Sequence, residues 1–303
     1  MITEGVFLLR DSSQLYTGRV TVLEVIQKSA EFLARKDVES PRLQAELLLA
    51  HLLKLPRMKL YLNFDRTLSD AELDALRALV RRRGQREPLQ HIIGSTSFCG
   101  LEMAVNRNVL IPRPETELLA EAGWEFLSTL NSQPPTALDF GTGSGCIAIA
   151  LAVKCPGARI VALDASAPAL VVAGENAARN GVGERLEFLH GNGLAALPDG
   201  ARFDLIVSNP PYIPSAEIAT LPTEVRDFDP REALDGGSDG LAFYRLLAAE
   251  AAPWLRPGGK IMLEFGDGQA AAIRVLFATA GWIVEAVRSD YTQRERILIA
   301  RRD

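Results

Sequence analysis

Leu138-Asp139-Phe140-Gly141-Thr142-Gly143-Ser144-Gly145-Cys146-Ile147-Ala148 carries a short apolar strand into a helix through three glycines. Glycines at such a turn let the backbone pass close to a ligand, and the first turn of the helix offers N–H groups that have no intrahelical acceptor. A glycine loop alone is a weak signal. Here an acid, Asp164, closes the next strand, Arg159–Asp164, and a carboxylate at that spacing suits the hydroxyls of an adenosine ribose. The plainer reading of Asp164 is an acid that caps the following helix. The loop reads G-x-G-x-G, and Cys146 stands where a dinucleotide fingerprint has its third glycine, which weakens a nicotinamide-dinucleotide reading.

Outward from this loop, strand and helix patterns alternate. Strands are expected at Ala137–Phe140, Arg159–Asp164, Leu186–His190, Phe203–Ser208 and Lys260–Phe265, and helices at Cys146–Lys154, Pro168–Asn180, Leu241–Leu255 and Gln269–Ala280. Two further strands, Ile283–Val287 and Arg296–Ala300, follow with little between them but a turn, so the last should run antiparallel. The fold class is therefore α/β, a doubly wound seven-stranded sheet with ligands expected at the strand C-termini. The third strand ends in His190-Gly191-Asn192-Gly193, which should lie beside an adenine. His190 itself reads as a packed or edge histidine.

The fourth strand stops at Ser208 and is followed by Asn209-Pro210-Pro211-Tyr212. Two prolines fix φ and remove two donors. The Asn209 side-chain oxygen and the Pro210 carbonyl are left as acceptors, and Tyr212 adds a flat ring. That set suits a planar NH2 group, each hydrogen meeting an acceptor and the plane stacking on the ring. The bland alternative is a proline-stiffened strand end.

Upstream, Thr21 reads as the N-cap of a helix with Leu23, Ile26, Ala30 and Leu33 on one stripe. Ser40-Pro41 opens a second helix with Leu43, Leu47 and Ala50 inward. Ser69-Asp70-Ala71-Glu72 is a capping-box signature for a third, carrying Leu73, Leu76 and Val80. Arg77, Arg81–Arg83 and Arg86 cluster at its end, where cations are favoured by the helix dipole; a protein or RNA partner is the less favoured reading. From Pro88 to Leu110 the pattern turns to β, with a hairpin around Gly100, and a helix is expected over Leu118–Leu130. The chain thus divides into an N-terminal extension (1–20), a helical domain (21–87), to which the resemblance described below gives the role of substrate recognition, a β-hairpin linker (88–112) and the α/β domain (113–303).

The 303 residues carry a net charge of −5 and are 48% hydrophobic. The acidic balance argues against a stable nucleic-acid partner, whose affinity rests on Lys and Arg neutralising phosphates. No apolar run has the length of a membrane span, and the start lacks the marks of a signal peptide. Cys99, Cys146 and Cys155 have neither metal nor disulfide spacing, and the cytoplasm is the expected compartment. With three histidines in no Ser/His/Asp or Cys/His pattern, nucleophilic catalysis has little support.

With these residues in view, the chain resembles the class I S-adenosylmethionine-dependent methyltransferases, and within them the peptide-chain release factor glutamine N5-methyltransferases. The resemblance rests on Leu110–Glu117 (Leu-Ile-Pro-Arg-Pro-Glu-Thr-Glu), the glycine loop Asp139–Ala148, Asn209–Tyr212, and the stretch Val225–Leu241. It implies S-adenosyl-L-methionine as cofactor, contacted by Phe140, Gly141, Thr142, Gly143, Ser144 and Gly145 in the loop. Asp164, Asn192, Gly193 and Asn209 complete the implied cofactor contacts. Asn209, Pro210 and Tyr212 are the implied catalytic residues, and with Pro211 they form the substrate clamp. The implied substrate and partner is a release factor, methylated on the glutamine of its Gly-Gly-Gln loop. Two departures stand out: the family usually has Asp at 192, and relatives often carry a bulky residue at 193. The competing readings are a ribosomal-protein glutamine methyltransferase, a nucleic-acid adenine or cytosine amino-methyltransferase using the same clamp on a flipped base, a dehydrogenase, and a non-catalytic adaptor. The Pro-Arg-Pro-Glu-Thr-Glu segment and the helical domain favour the release factor enzymes.

Overall fold

The computed structural model describes residues 20–130 and 134–303. The expected N-terminal extension lies outside the described residues except for Val20, and so does part of the Asn131–Pro135 connection. The chain forms two compact units, one ending at Ile93 and the other beginning at Gly94.

The first unit is helical: α1 (Val22–Ala34), α2 (Pro41–Leu53), α3 (Arg57–Leu60), α4 (Asp70–Gly84) and α5 (Leu89–Ile93). Thr21 and Ser69 each close a full capping box, with Glu24 and Glu72 reaching back to the cap backbone; two otherwise orphaned donors are satisfied at each helix start. The inward face of α4 is Leu73, Leu76 and Val80, as its spacing predicts. On α1 the buried stripe is Val22, Ile26, Ser29 and Leu33, so Leu23 and Ala30 lie at its margin. On α2 the expectation fails further. Pro41 opens the helix and Ala50 is buried as expected, but Ser40 adopts a left-handed conformation (φ 49°) with no side-chain cap bond. Leu43 is exposed, Leu47 is only half-buried, and Ala45, Leu48 and Leu49 join Ala50 in the core.

The reason is Glu46, buried on that face and held by Arg42 (3.1 Å), Arg57 (2.9 Å) and the Tyr61 hydroxyl (2.9 Å). A hydrophobicity pattern has no place for an acid paired by residues from the next helix. Arg77, Arg82, Arg83 and Arg86 of the arginine cluster are engaged within this unit. Arg83 is buried and bonds Gln44 and the Glu87 carbonyl, Arg82 forks onto Glu87 at 2.8 Å, and Arg77 pairs Asp74. Leu89–Ile93 is helix where the sequence pattern suggests strand.

The second unit begins with a hairpin, β1 (Ser95–Phe98) and β2 (Leu101–Ala104), and continues with α6 (Pro114–Ser128). The doubly wound part follows as β3 (Thr136–Phe140), α7 (Cys146–Lys154), β4 (Arg159–Asp164), α8 (Ala167–Arg179), β5 (Leu186–His190) and β6 (Phe203–Ser208). A short helix α9 (Thr223–Arg226) then leads to α10 (Ala242–Glu250), β7 (Leu255–Glu264), α11 (Ala270–Thr279), β8 (Ile283–Ser289) and β9 (Glu295–Arg301). The sheet has seven strands in the order β5-β4-β3-β6-β7-β9-β8. β9 inserts antiparallel between β7 and β8, as the missing crossover helix requires.

The expected α6 starts late by four residues, because Pro114 at N1 with Glu115 and Glu117 in the first turn already suits a helix start. α10 ends at Glu250 and gives way to a 3₁₀ turn, Ala252–Trp254, around Pro253. Central strands are buried on both faces. Along β6, Leu205 and Val207 join a core with α6, α7 and α8, while Ile206 joins one with α10 and α11, the period-2 alternation of a covered sheet. No helix among the described residues is long and apolar enough to cross a membrane.

Candidate active site

Strand order reverses at β3 and β6, which lie side by side and parallel, with Asp139 opposite Val207. That is the switch point at which doubly wound sheets open a crevice beyond their C-terminal ends. The glycine loop leaves β3 and the Asn209-Pro210-Pro211-Tyr212 turn leaves β6, so the topology sets them next to each other. The Ser208 hydroxyl donates to the Phe140 carbonyl at 2.6 Å and ties the two strand ends together.

Beyond them lies an open cleft of about 850 Å³, counting its solvent-filled mouth. Phe140, Gly141, Gly143, Asp164, Asn192, Gly193, Asn209, Pro210 and Pro211 all line it. Thr142, Ser144 and Gly145 do not. The Thr142 hydroxyl donates to Asp139 at 2.7 Å, the Ser144 carbonyl accepts from Asn176 at 2.9 Å, and both residues are buried. Their work is to hold the loop. Tyr212 also turns from the cleft lining and packs over Gly266, where a Cβ would come within 2.9 Å of its ring. Burial pushes its phenol up to about 12. His190 is exposed at the sheet edge, its Nε2 3.0 Å from the Ala165 carbonyl.

Several contributors have no role in the sequence reading, although some of them lie in the stretches Leu110–Glu117 and Val225–Leu241 that carry the resemblance. Asn108, Val109 and Leu110 line the cleft, as do Pro230, Glu232 and Ala233. These two segments are joined by long-range pairs: Arg113 donates to Asp229 at 2.8 Å, and the Arg107 guanidinium lies 4.7 Å from the Phe228 ring centroid. Asn176 accepts from the Ala104 N–H and donates to the Ala104 carbonyl, so it anchors the hairpin to the glycine loop.

The donor set fits an adenosine-bearing cofactor. Gly143 has φ +55° and an added Cβ there would meet nothing within 4 Å, so the backbone is open to a ligand. Asp164 is already oriented, Oδ2 accepting from the Gly143 N–H at 2.7 Å and Oδ1 from the Ser166 N–H at 2.8 Å. A carboxylate has acceptor capacity beyond two such bonds. Asp139, fully buried, accepts from Thr142 and from the Ala148 N–H, and burial pushes its carboxyl up to about 7.

Asn209 is oriented too. Its Nδ2 donates to the Thr116 hydroxyl at 3.0 Å. The nitrogen end is thereby engaged within the protein, and the Oδ1 end is left for a ligand. Beside this pair sits Glu264, 3% exposed at the end of β7. Its carboxyl is in polar contact with Thr116 and Asn209, its Oε2 has no hydrogen-bond partner, and burial pushes it up to about 7 against their pull.

A seven-stranded doubly wound sheet with an antiparallel last strand, a glycine loop faced by an acid at the end of the next strand, and an Asn-Pro-Pro-Tyr turn across the switch point define a methyltransferase of class I. Comparison with known proteins narrows this. The model of the PrmC N-terminal domain matches residues 24–94, and that of the methyltransferase small domain residues 121–223. The release factor glutamine methyltransferase of Geobacter sulfurreducens is 47% identical over 264 residues, covering 86% of this chain and 90% of the relative. Its counterpart from Chlorobaculum tepidum is 45% identical over 282 residues, covering 91% and 95%. A solved release-factor-specific protein-(glutamine-N5) methyltransferase from Alicyclobacillus acidocaldarius is 31% identical, covers 64% of this chain and 95% of its own, and has a TM-score of 0.40. The chain belongs to the release factor glutamine methyltransferase family.

Proposed function

We propose that this protein methylates the side-chain amide nitrogen (N5) of the glutamine in the Gly-Gly-Gln loop of peptide-chain release factors, with S-adenosyl-L-methionine as methyl donor. When bound, that cofactor supplies an electrophilic methyl carbon on its sulfonium. Transfer of that methyl group to the target nitrogen would leave the donor sulfur as a neutral thioether (S-adenosyl-L-homocysteine), and the nitrogen would release one proton to water.

An amide nitrogen is a poor nucleophile because its lone pair is delocalised, and no ordinary side chain is basic enough to deprotonate it first. The protein's means are positioning and electrostatics. Asn209 Oδ1 and the Pro210 carbonyl hold the two amide hydrogens and aim the nitrogen at the methyl group. As the nitrogen becomes tetrahedral and partly positive, these acceptors bind it better than they bound the planar amide. Tyr212, packed over Gly266 and outside the cleft lining, backs the turn that carries Asn209 and Pro210. Gly141, Gly143, Asp164, Asn192 and Gly193 hold the adenosine part. The helical unit provides surface for contacts with a protein substrate.

The observation that carries this reading is the orientation of Asn209, whose nitrogen end is engaged by Thr116 at the mouth of the glycine-loop cleft. The test is transfer of labelled methyl from the cofactor to release factor, beside a Gln→Ala version of its Gly-Gly-Gln loop, ribosomal proteins and an adenine oligonucleotide. Label on release factor that vanishes with the Gln→Ala change is expected. Label on the ribosomal protein or the oligonucleotide alone overturns the substrate. Asn209→Ala is expected to lower turnover by on the order of 10²- to 10³-fold, the loss seen when a preorganised transition-state partner is removed, while cofactor binding measured by calorimetry is left partly intact. Equal turnover by that variant refutes the clamp.

A further inference from the structure

Glu264 is a buried titratable group that the reaction above does not use. It ends β7, the strand beside β6 in the sheet, with Leu263 paired to Ser208 one residue before the clamp. Only 3% of it is exposed, and Oε2 has no hydrogen-bond partner. Burying an acid in this way is costly unless it is paired, and no ion pair holds it among the described residues. What it touches is the machinery of the clamp. The Thr116 hydroxyl and the Asn209 amide both bear on its carboxyl, and Thr116 accepts from Asn209 Nδ2.

Hydrogen counting gives this triangle a direction. A hydroxyl has one proton. Thr116 Oγ1 uses a lone pair for Asn209 Nδ2, so its own proton is free to go to Glu264. An ionised Glu264 accepts that proton's bond and also faces the Asn209 NH2. An Asn209 amide flipped the other way would set its oxygen against a carboxylate. We propose that Glu264 is a positioning residue: acting through Thr116 and on Asn209 itself, its carboxylate fixes which end of the Asn209 amide meets the substrate and polarises Oδ1 into a stronger acceptor.

The inference rests on the amide-methylation reading and adds to it the source of the clamp's orientation and of part of its electrostatic strength. In a water-poor site, chains of hydrogen bonds polarise one another. A negative charge behind the Asn209 nitrogen draws its dipole toward the carboxylate and leaves Oδ1 more negative. That favours the transition state, in which the target nitrogen is gaining positive charge, over the neutral amide.

The charged state of Glu264 makes the device pH-dependent. The groups that face it are Glu115 and Thr116 on α6, Asn209 and Tyr212 on the clamp, Tyr244 on α10 and Arg296 on β9. Burial and Glu115 favour the protonated carboxyl; Thr116, Arg296 and Asn209 favour the ionised one, and the balance lies near 7. Protonated Glu264 no longer enforces the amide orientation, so kcat rises with pH through that value.

The test compares the wild-type chain with Glu264→Gln, Thr116→Val and Thr116→Ser by two readouts. The first is kcat against pH with release factor as substrate, alongside calorimetric cofactor affinity. Glu264→Gln is expected to lose on the order of 10²-fold in kcat, the scale of a misplaced reacting group, to keep its cofactor affinity, and to lose the pH limb. Thr116→Val follows it, and Thr116→Ser, which keeps the hydroxyl, stays near wild type. The second readout needs no turnover: the Asn209 side-chain ¹⁵N amide signals, assigned by difference against Asn209→Ala, are followed from about pH 5.5 to about pH 8.5, a range that brackets the shifted carboxyl. They should titrate in the wild type and not in Glu264→Gln. A Glu264→Gln variant with wild-type kcat and an unchanged pH limb, or Asn209 signals that titrate alike in both proteins, overturns the proposal. Should Glu264→Gln fail to fold, equal rates for Thr116→Val and Thr116→Ser overturn it. Absence of any wild-type transfer to glutamine overturns the function instead, and the amide titration still reports whether Glu264 governs Asn209.

Discussion

Gly143 and Gly145 look equivalent in the sequence and are not equivalent in space. Both have positive φ, +55° and +80°, where an L side chain is disfavoured by roughly 1–2 kcal/mol. A Cβ on Gly145 would also stand 3.1 Å from Ala173 Cβ and from Ile149 Cδ1, whereas one on Gly143 meets nothing within 4 Å. Gly145→Ala is therefore expected to lower the melting temperature clearly, because helix packing must shift. Gly143→Ala is expected to fold with a smaller loss and to bind cofactor poorly, because its methyl projects where the ligand backbone contact is made. Calorimetric melts and cofactor titrations of the two variants separate these effects; an unimpaired cofactor affinity in Gly143→Ala sinks this reading of the loop. At this scale the sequence announces residues whose type is unusual for their place, such as consecutive prolines or clustered glycines. It is silent on Glu264 and Thr116. Glu264 reads there as one polar residue ending an apolar strand, and its partner Thr116 is far away in the chain. Their meaning comes only from being side by side.

The elements themselves were largely legible, because period-2 and period-3.6 patterns follow from local geometry. The strands from Arg159 to Asp164, Leu186 to His190 and Phe203 to Ser208 fall where the patterns put them. The failures fall where a long-range partner overrides the pattern, as Glu46 does on α2. The same holds for the two segments that flank the cleft, 108–110 and 230–233, which have no periodicity of their own. They are held by Arg113–Asp229 and Arg107–Phe228. Asp229 is buried, one of its oxygens is unpartnered, and burial raises its carboxyl to about 6 even with Arg113 opposing. Removing Arg113 leaves an unpaired buried acid, a loss of roughly 1–3 kcal/mol for a charged hydrogen bond of this kind. Arg113 is about one-third exposed, so solvent compensates in part and the low end of that range applies. Arg113→Ala should accordingly weaken cofactor affinity and raise KM for the protein substrate, since both flanking segments lose a tether, while the melting temperature falls only modestly. A variant with wild-type KM and affinity would show that the segments hold their places without this pair.

Among the described residues, the carboxyl groups that are clearly shifted divide into two populations with opposite effects on folding. Asp290, Asp239, Asp235 and Glu46 are held below the usual carboxylate range by hydrogen bonds and arginines. They stabilise the fold above the unfolded values near pH 4 and lose that contribution as pH falls through their depressed values. Asp139, Glu264 and Asp229 are raised by burial to about 7, 7 and 6. For these the folded state holds a proton that the unfolded chain has released, so their contribution is complete below about pH 4 and is lost as pH rises through 6 and 7. The windows barely overlap. Between about pH 5 and about pH 7.5 the first population is already ionised in both states, and of the two only the second contributes a slope of stability. The melting temperature is expected to fall across that interval, against the common pattern of a flat optimum near neutrality. Asp139→Asn should flatten the slope, since a neutral amide has no charge to desolvate. Differential scanning calorimetry at stepped pH decides it: a melting temperature that rises from pH 5 to 7.5 would mean these buried acids are ionised and paid for by neighbours throughout. In that case Glu264 would be charged at every working pH, and its hold on Asn209 would be permanent rather than graded.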